Sequence, residues 1–156
     1  MSTTVHRCSP LWKSAVVLPD VNVLVHAHRS DSVHHAACRK WLESILAADE
    51  AYGVSELVLS GFLRIVTHPA VFSPPSSIQQ ALAFAMEIMS PEHAVPVAPG
   101  PRHWEIFSKL CREADARGNL VPDAYLAALA IESGSEWIST DGDYARFPGL
   151  KWHRPF

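Results

Sequence analysis

The sequence predicts an α/β domain: a mostly parallel sheet covered by helices. Three observations carry this. Short β-branched runs alternate with longer stretches of helical periodicity, the first run is apolar throughout as a strand buried on both faces requires, and serine or proline stands at the start of several helical stretches.

That first run, AVVLP (Ala15 to Pro19), is bounded by Asp20 and reads as a strand. Beyond it, Val33, Ala37, Trp41 and Ile45 recur every four residues beside the parallel set Cys38, Leu42 and Leu46. This is the stripe of a core-facing helix, with Asp31 or Ser32 available to cap it. AYGV (51–54) is a second strand, after which Ser55 serves as N-cap of a helix whose Val58, Phe62 and Ile65 face inward until His68-Pro69 stops it. The proline-rich SPPSS (73–77) is a loop between helices. Ser76 and Gln79 have capping-box spacing and open a helix to about Met89, so apolar that burial on two sides is expected, by the core and by a partner. VPVA (95–98) reads as a third strand. A helix from Pro101 follows, with Trp104, Phe107, Cys111 and Ala114 on one face, and then a second proline-opened helix, PDAYLAALAIES (122–133). EWIS (136–139) and LKW (150–152) close the chain as strands, and the alternation implies right-handed crossovers.

At 156 residues the chain makes one domain with a core that needs no staples. Cys8, Cys38 and Cys111 are odd in number and lack C-x-x-C spacing, which argues for a reducing, cytoplasmic setting and against a disulfide scaffold or zinc ribbon. No apolar stretch is long enough for a membrane span, and no signal-peptide h-region is present. With a net charge of −3, there is no global basic field, so any nucleic-acid contact must be local. Residues 1–14 read as a flexible N-terminal arm before a domain spanning 15–156.

Four acids carry the chemistry. Singly each has an ordinary explanation: Asp20 as a cap, Glu56 and Asp123 as complements to helix dipoles, Asp141 with Gly142 as a turn. Jointly they say more. Ligands of open α/β sheets bind beyond the carboxyl ends of the strands, where Asp20, Glu56 and Asp141 all lie, and Asp123 reaches the same rim from a helix start. Carboxylates gathered in one pocket repel each other unless a cation lies among them, and hard oxygen donors select Mg²⁺ or Mn²⁺.

These residues sit in four blocks: VVLPDVNVL (16–24), SELVLSGFLRIVTHP (55–69), NLVPDAYLAALA (119–130) and WISTDGDYARFPGLKW (137–152). In content and order they resemble the PIN-domain family, and within it the VapC-type toxins of toxin–antitoxin pairs. The resemblance implies a Rossmann-like, five-stranded parallel sheet, endoribonuclease activity, a homodimer, and neutralisation by a small VapB-type antitoxin. It also implies Asp20 and Asp123 as the principal metal ligands, Glu56 as the second acid and Asp141 as the fourth. Asp143 is a further acid, while Asn22 and Thr140 fill polar positions beside the cluster. Tyr144 stands where the family often has phenylalanine, and the segment before Val16 is extra.

Carboxylate-held metal lowers the pKa of water and offsets charge on the leaving oxygen, so no serine or cysteine nucleophile is needed. Two other readings compete. An aspartate-based phosphotransferase commonly wants a second carboxylate where Asn22 stands, and a carboxamide cannot donate an acidic proton. A non-catalytic module could use the acidic pocket to hold a partner's arginine or lysine. The histidines lack H-E-x-x-H order and read as surface or capping residues. The dispersed basic residues read first as solvated faces; in the competing reading, a rim for RNA phosphates, Arg117 and Arg146 are the best placed, lying in loops near the acids.

Overall fold

The computed structural model describes residues 15–156. The expected arm (1–14), with Cys8 and Trp12, lies outside the described residues. Five strands form one sheet: β1 (Val17–Pro19), β2 (Tyr52–Val54), β3 (Ala94–Pro96), β4 (Glu136–Ile138) and β5 (Trp152–His153). Their order is β3-β2-β1-β4-β5, and every pairing is parallel. The six α-helices among the described residues are α1 (Val21–His28), α2 (His35–Ala47), α3 (Glu56–Val66), α4 (Ile78–Met89), α5 (His103–Glu113) and α6 (Leu120–Ser133). A 3-10 helix, Gly142–Arg146, follows β4.

The topology creates the site. From β1 the chain builds outward through β2 to β3, then returns to lay β4 on the other side of β1. The connections leaving β1 and β4 therefore diverge at their carboxyl ends, the switch point where open parallel sheets bind ligands. The backbone N–H of Asp20 donates to Ile138 O at 2.8 Å, so the two strands remain joined up to the crevice. Leu18, Trp137 and Ile138 are fully buried beneath it, and α6 supplies a wall of small residues, Ala124, Ala127, Ala128 and Ala130, that lies close to the sheet. Gly134 ends α6 in the left-handed conformation (φ 69°), where a side chain would be strained.

Several expectations need correction. Val21–His28 is helical although four of its first five positions are Val or Asn; Asp20 caps it, and burial of Val23, Leu24, Val25 and Ala27 outweighs weak propensity. Val33 is 86 % exposed and precedes α2, because neither Asp31 nor Ser32 caps the helix: Asp31 pairs with Arg29, and Ser32 Oγ meets His26 Nδ1. The capping box is one residue later than expected. Ser77 and Gln80 make both reciprocal bonds, freeing Ser76 for His28 and Arg29. Helix α4 is buried on one face only, leaving Ile78, Leu82, Met86 and Met89 exposed. On α5 the inward residues are His103 and Leu110, whereas Trp104 is 71 % exposed. His103 donates through Nε2 to Tyr125 O at 2.9 Å and is buried, so it is a core residue rather than a surface one.

Candidate metal centre

Asp20 is buried at the end of β1, where one oxygen accepts from the Val21 N–H (2.6 Å) and caps α1. The other oxygen accepts from Ser139 Oγ (2.8 Å) and Asn22 Nδ2 (3.1 Å). Ser139 closes this network. Its single proton goes to Asp20, and its lone pairs accept from Asn22 Nδ2 (3.1 Å) and the Asp141 N–H (3.0 Å). Asn22 Oδ1 accepts from the Thr140 N–H at 3.1 Å, which leaves the Asn22 amide only one orientation. Sequence reasoning placed Asn22 and Thr140 beside the cluster but missed Ser139. Its signal was present in EWIS, as the polar residue directly after the apolar Trp137 and Ile138 that end β4.

Asp123 projects from the first turn of α6, and Asp141 follows β4 as N-cap of the 3-10 helix, accepting from the Asp143 N–H at 2.9 Å. Tyr144 donates its hydroxyl to Asp123 Oδ1 at 3.3 Å. Asp20, Asp123, Asp141 and Tyr144 line one cleft of about 310 Å³ with Val21, Asn22, Val25, His26, Gly61, Arg64, Ile65 and Leu126.

The remaining expected residues lie differently. Glu56 opens α3 beyond β2, at the same sheet edge, yet it is exposed and not part of the cleft lining. Asp143 is exposed and faces Arg146 at 3.8 Å; Arg117 pairs with Asp115 at 2.9 Å. Both arginines of the expected rim are thus engaged on the surface. Arg154, which was not singled out, donates to Thr140 O at 2.6 Å from above the Trp152 ring.

The electrostatics identify an unmet charge requirement. Burial, reinforced by Asp123 and Asp141, raises the Asp20 carboxyl to about 6 in spite of its hydrogen bonds. Asp123 is raised as well, by burial first and then by Asp141. The Tyr144 hydroxyl is pushed far above its ordinary range, chiefly by burial, so it remains a donor. Carboxylate oxygens suit a hard divalent cation, whose charge would relieve this repulsion. Among the described residues no three His, Cys, Asp or Glu side chains stand in ligating array.

Fold and cleft together define a parallel α/β domain with a carboxylate-lined switch point. The family model for the PIN domain matches residues 17–150. Ribonuclease VapC25 of Mycobacterium tuberculosis is 44 % identical over 138 residues, covering 88 % of this chain and 97 % of that protein. Ribonuclease VapC43 of the same species is 43 % identical over 136 residues, covering 87 % and 92 %. Among solved structures, VapBC2 from Rickettsia felis, bound to a promoter DNA fragment, superposes with a TM-score of 0.66 at 16 % identity, over 89 % of this chain and 98 % of that one. VapC20 of M. tuberculosis, described as a sarcin–ricin loop cleaving toxin, gives 0.61 at 15 % identity over 86 % and 98 %; these two likenesses show the fold. The chain belongs to the PIN-domain family, among its VapC ribonucleases.

Proposed function

We propose that this protein is a metal-dependent endoribonuclease, the toxin of a toxin–antitoxin pair, acting in the cytoplasm. The observation that carries the reading is the convergence of Asp20, Asp123 and Asp141 in one cleft, with the Asp20 carboxyl raised to about 6. Asp20 and Asp123 are the principal ligands of Mg²⁺ or Mn²⁺. Asp141 and Glu56 complete the acid set from the β4 and β2 edges, and Asp143 is a peripheral acid.

When bound, the metal supplies positive charge that makes water nucleophilic near neutral pH and offsets charge on the leaving oxygen. The chain's own residues set the geometry. Ser139 and Asn22 hold Asp20 in one rotamer, the Thr140 amide holds Asn22, and Tyr144 steadies Asp123. Apolar side chains of Val25, Ile65 and Leu126 exclude bulk water from the cleft wall. Because Asn22 is committed to Asp20 and Ser139, no second carboxylate stands where a phosphotransferase commonly wants one.

VapBC2 of R. felis and FitAB are the complexes named by two of the structural neighbours. For this chain we assign a VapB-type antitoxin as partner, placing an arginine among the acids in competition with metal. The exposed stripe Ile78, Leu82, Met86 and Met89 on α4 supports a homodimer.

Incubation of the purified protein with RNA and Mg²⁺ or Mn²⁺, followed by end-labelling, tests the activity. Water attack leaves a 5′-phosphate and a 3′-hydroxyl. Cyclic phosphate ends, or undiminished cutting in chelator, would refute the mechanism.

A further inference from the structure

The cleft does not stop at the carboxylates. One side follows α1 from Asp20 through Val21, Asn22 and Val25 to His26, and the other is built by Gly61, Arg64 and Ile65 of α3 with Leu126 of α6. With a rise of about 1.5 Å per residue, α1 carries His26 about 9 Å along its axis from Asp20. Along α1 the groove therefore runs from the acidic end at Asp20 past Val21 and Val25 to His26, with Arg64 of α3 in its lining. The helices approach closely here, since a Cβ on Gly61 would lie 3.0 Å from Val21 Cγ2. Arg64, three residues on, occupies the same face of α3 at the cleft.

Arg64 is also uncommitted. Arg117 and Arg146 are held by Asp115 and Asp143, and Arg29, Arg39 and Arg102 are paired as well. Arg64 has neither an ion-pair nor a side-chain hydrogen-bond partner among the described residues, although it shares a cleft with three carboxylates. In the same cleft the His26 ring is fixed through Nδ1 by Ser32 Oγ and packs edge-on to His34 at 5.0 Å. A planar guanidinium with free donors suits a phosphate bidentately.

Resting on the ribonuclease reading, we propose that Arg64 binds substrate. Its guanidinium holds the phosphate of single-stranded RNA adjoining the one cleaved, while Val25, Ile65 and Leu126 receive the nucleoside between the two. The acids and the arginine then divide the labour: the carboxylates take the cation and the scissile phosphate, and Arg64 sets the register of the strand. Arg64 also lies in the last turn of α3, where its charge suits the helix dipole. That role would act on stability alone and leave RNA affinity unchanged.

The test compares wild type, Arg64→Gln and Arg64→Lys, with Arg39→Gln on the outer face of α2 as a control for net charge. Fluorescence anisotropy with a short, labelled, mixed-sequence single-stranded RNA gives affinity across a salt series, in a catalytically silenced Asp123→Asn background. Cleavage of total RNA gives KM and kcat in the otherwise unaltered proteins. Arg64→Gln should bind about tenfold more weakly and reduce the slope of log Kd against log salt by about 0.7, the value of one phosphate contact on a single strand. Arg64→Lys should restore the slope but only part of the affinity. The loss should appear in KM, with kcat nearly unchanged. If wild type cuts RNA while Arg64→Gln keeps the wild-type affinity and slope, the assignment of Arg64 is wrong. A wild type that binds but never cuts would instead overturn the ribonuclease reading and leave the Arg64 contact supported by its slope.

Discussion

The Tyr144 hydroxyl donates to Asp123 Oδ1 at 3.3 Å, reaching it from the buried residue of the 3-10 helix that Asp141 caps. One short segment therefore supplies an acid to the cleft and steadies the acid that α6 supplies. The ring itself is core, packed against Trp137 at 5.4 Å and Phe147 at 6.0 Å. Tyr144→Phe removes one long hydrogen bond to a carboxylate, so it should cost about 1 kcal/mol of stability and leave cleavage largely intact. Tyr144→Ala opens a cavity and should cost about 3 kcal/mol or more. Urea denaturation of both variants checks this; equal losses would mean that packing of the ring does not matter.

Asp20→Asn and Asp123→Asn should each remove most RNA cleavage while leaving the circular dichroism spectrum unchanged, since each deletes a carboxylate from a mutually repelling set. A folded variant cutting RNA at the wild-type rate would not be missing a principal ligand.

Ser139→Ala should be far more damaging than Thr140→Ala. Ser139 makes three side-chain contacts at the centre of the network, and its loss leaves the buried Asp20 oxygen with Asn22 Nδ2 as its remaining side-chain donor and removes the acceptor of the Asp141 N–H. A penalty of about 2 kcal/mol and a marked loss of activity are expected. Thr140 contributes its main-chain N–H to Asn22, which alanine retains. Comparable effects from the two substitutions would contradict the network described.

The pH dependence has a defined sign. A carboxyl raised from 3.8 to about 6 binds its proton more tightly in the fold, so Asp20 destabilises the metal-free native state above pH 6 by about 3 kcal/mol and not below 3.8. His26 and His28 are lowered mainly by burial and act in the opposite sense, losing stability as pH falls. The wild-type minus Asp20→Asn difference isolates the carboxyl: it should favour the variant at pH 7.5 and shift toward wild type at pH 4. Carboxyl-carbon NMR should place the Asp20 midpoint near 6 without metal and well below that with Mg²⁺. A midpoint indifferent to Mg²⁺ would put the cation elsewhere.

Metal should raise wild-type stability through native-state binding, by about 2.7 kcal/mol at a hundred times Kd. Asp20→Asn should lose most of the gain. An equal rise in melting temperature for both proteins would exclude Asp20 as a ligand.

The alternation of strands and helices, the parallel sheet and the acids at strand ends were all legible in the sequence, because each depends on local periodicity or on a neighbour a few residues away. Asp20 after VVLP and Asp141 after WIS needed only the rule that ligands bind beyond strand carboxyl ends. What adjoins what across the switch point was not legible. Ser139 reads as a routine polar residue until β4 lies beside β1 and brings its hydroxyl to Asp20. Proximity in sequence to the acids favoured Arg117 and Arg146 as the rim and passed over Arg64. Only tertiary structure pairs the first two with surface acids and sets the third in the cleft, without an ion-pair partner among the described residues. The capping box shifted by one residue for the same reason: Ser76 is drawn inward by His28 and Arg29, leaving Ser77 to start α4. Local sequence determined the elements and their acids; long-range packing decided which polar groups are spent on one another and which remain free for chemistry.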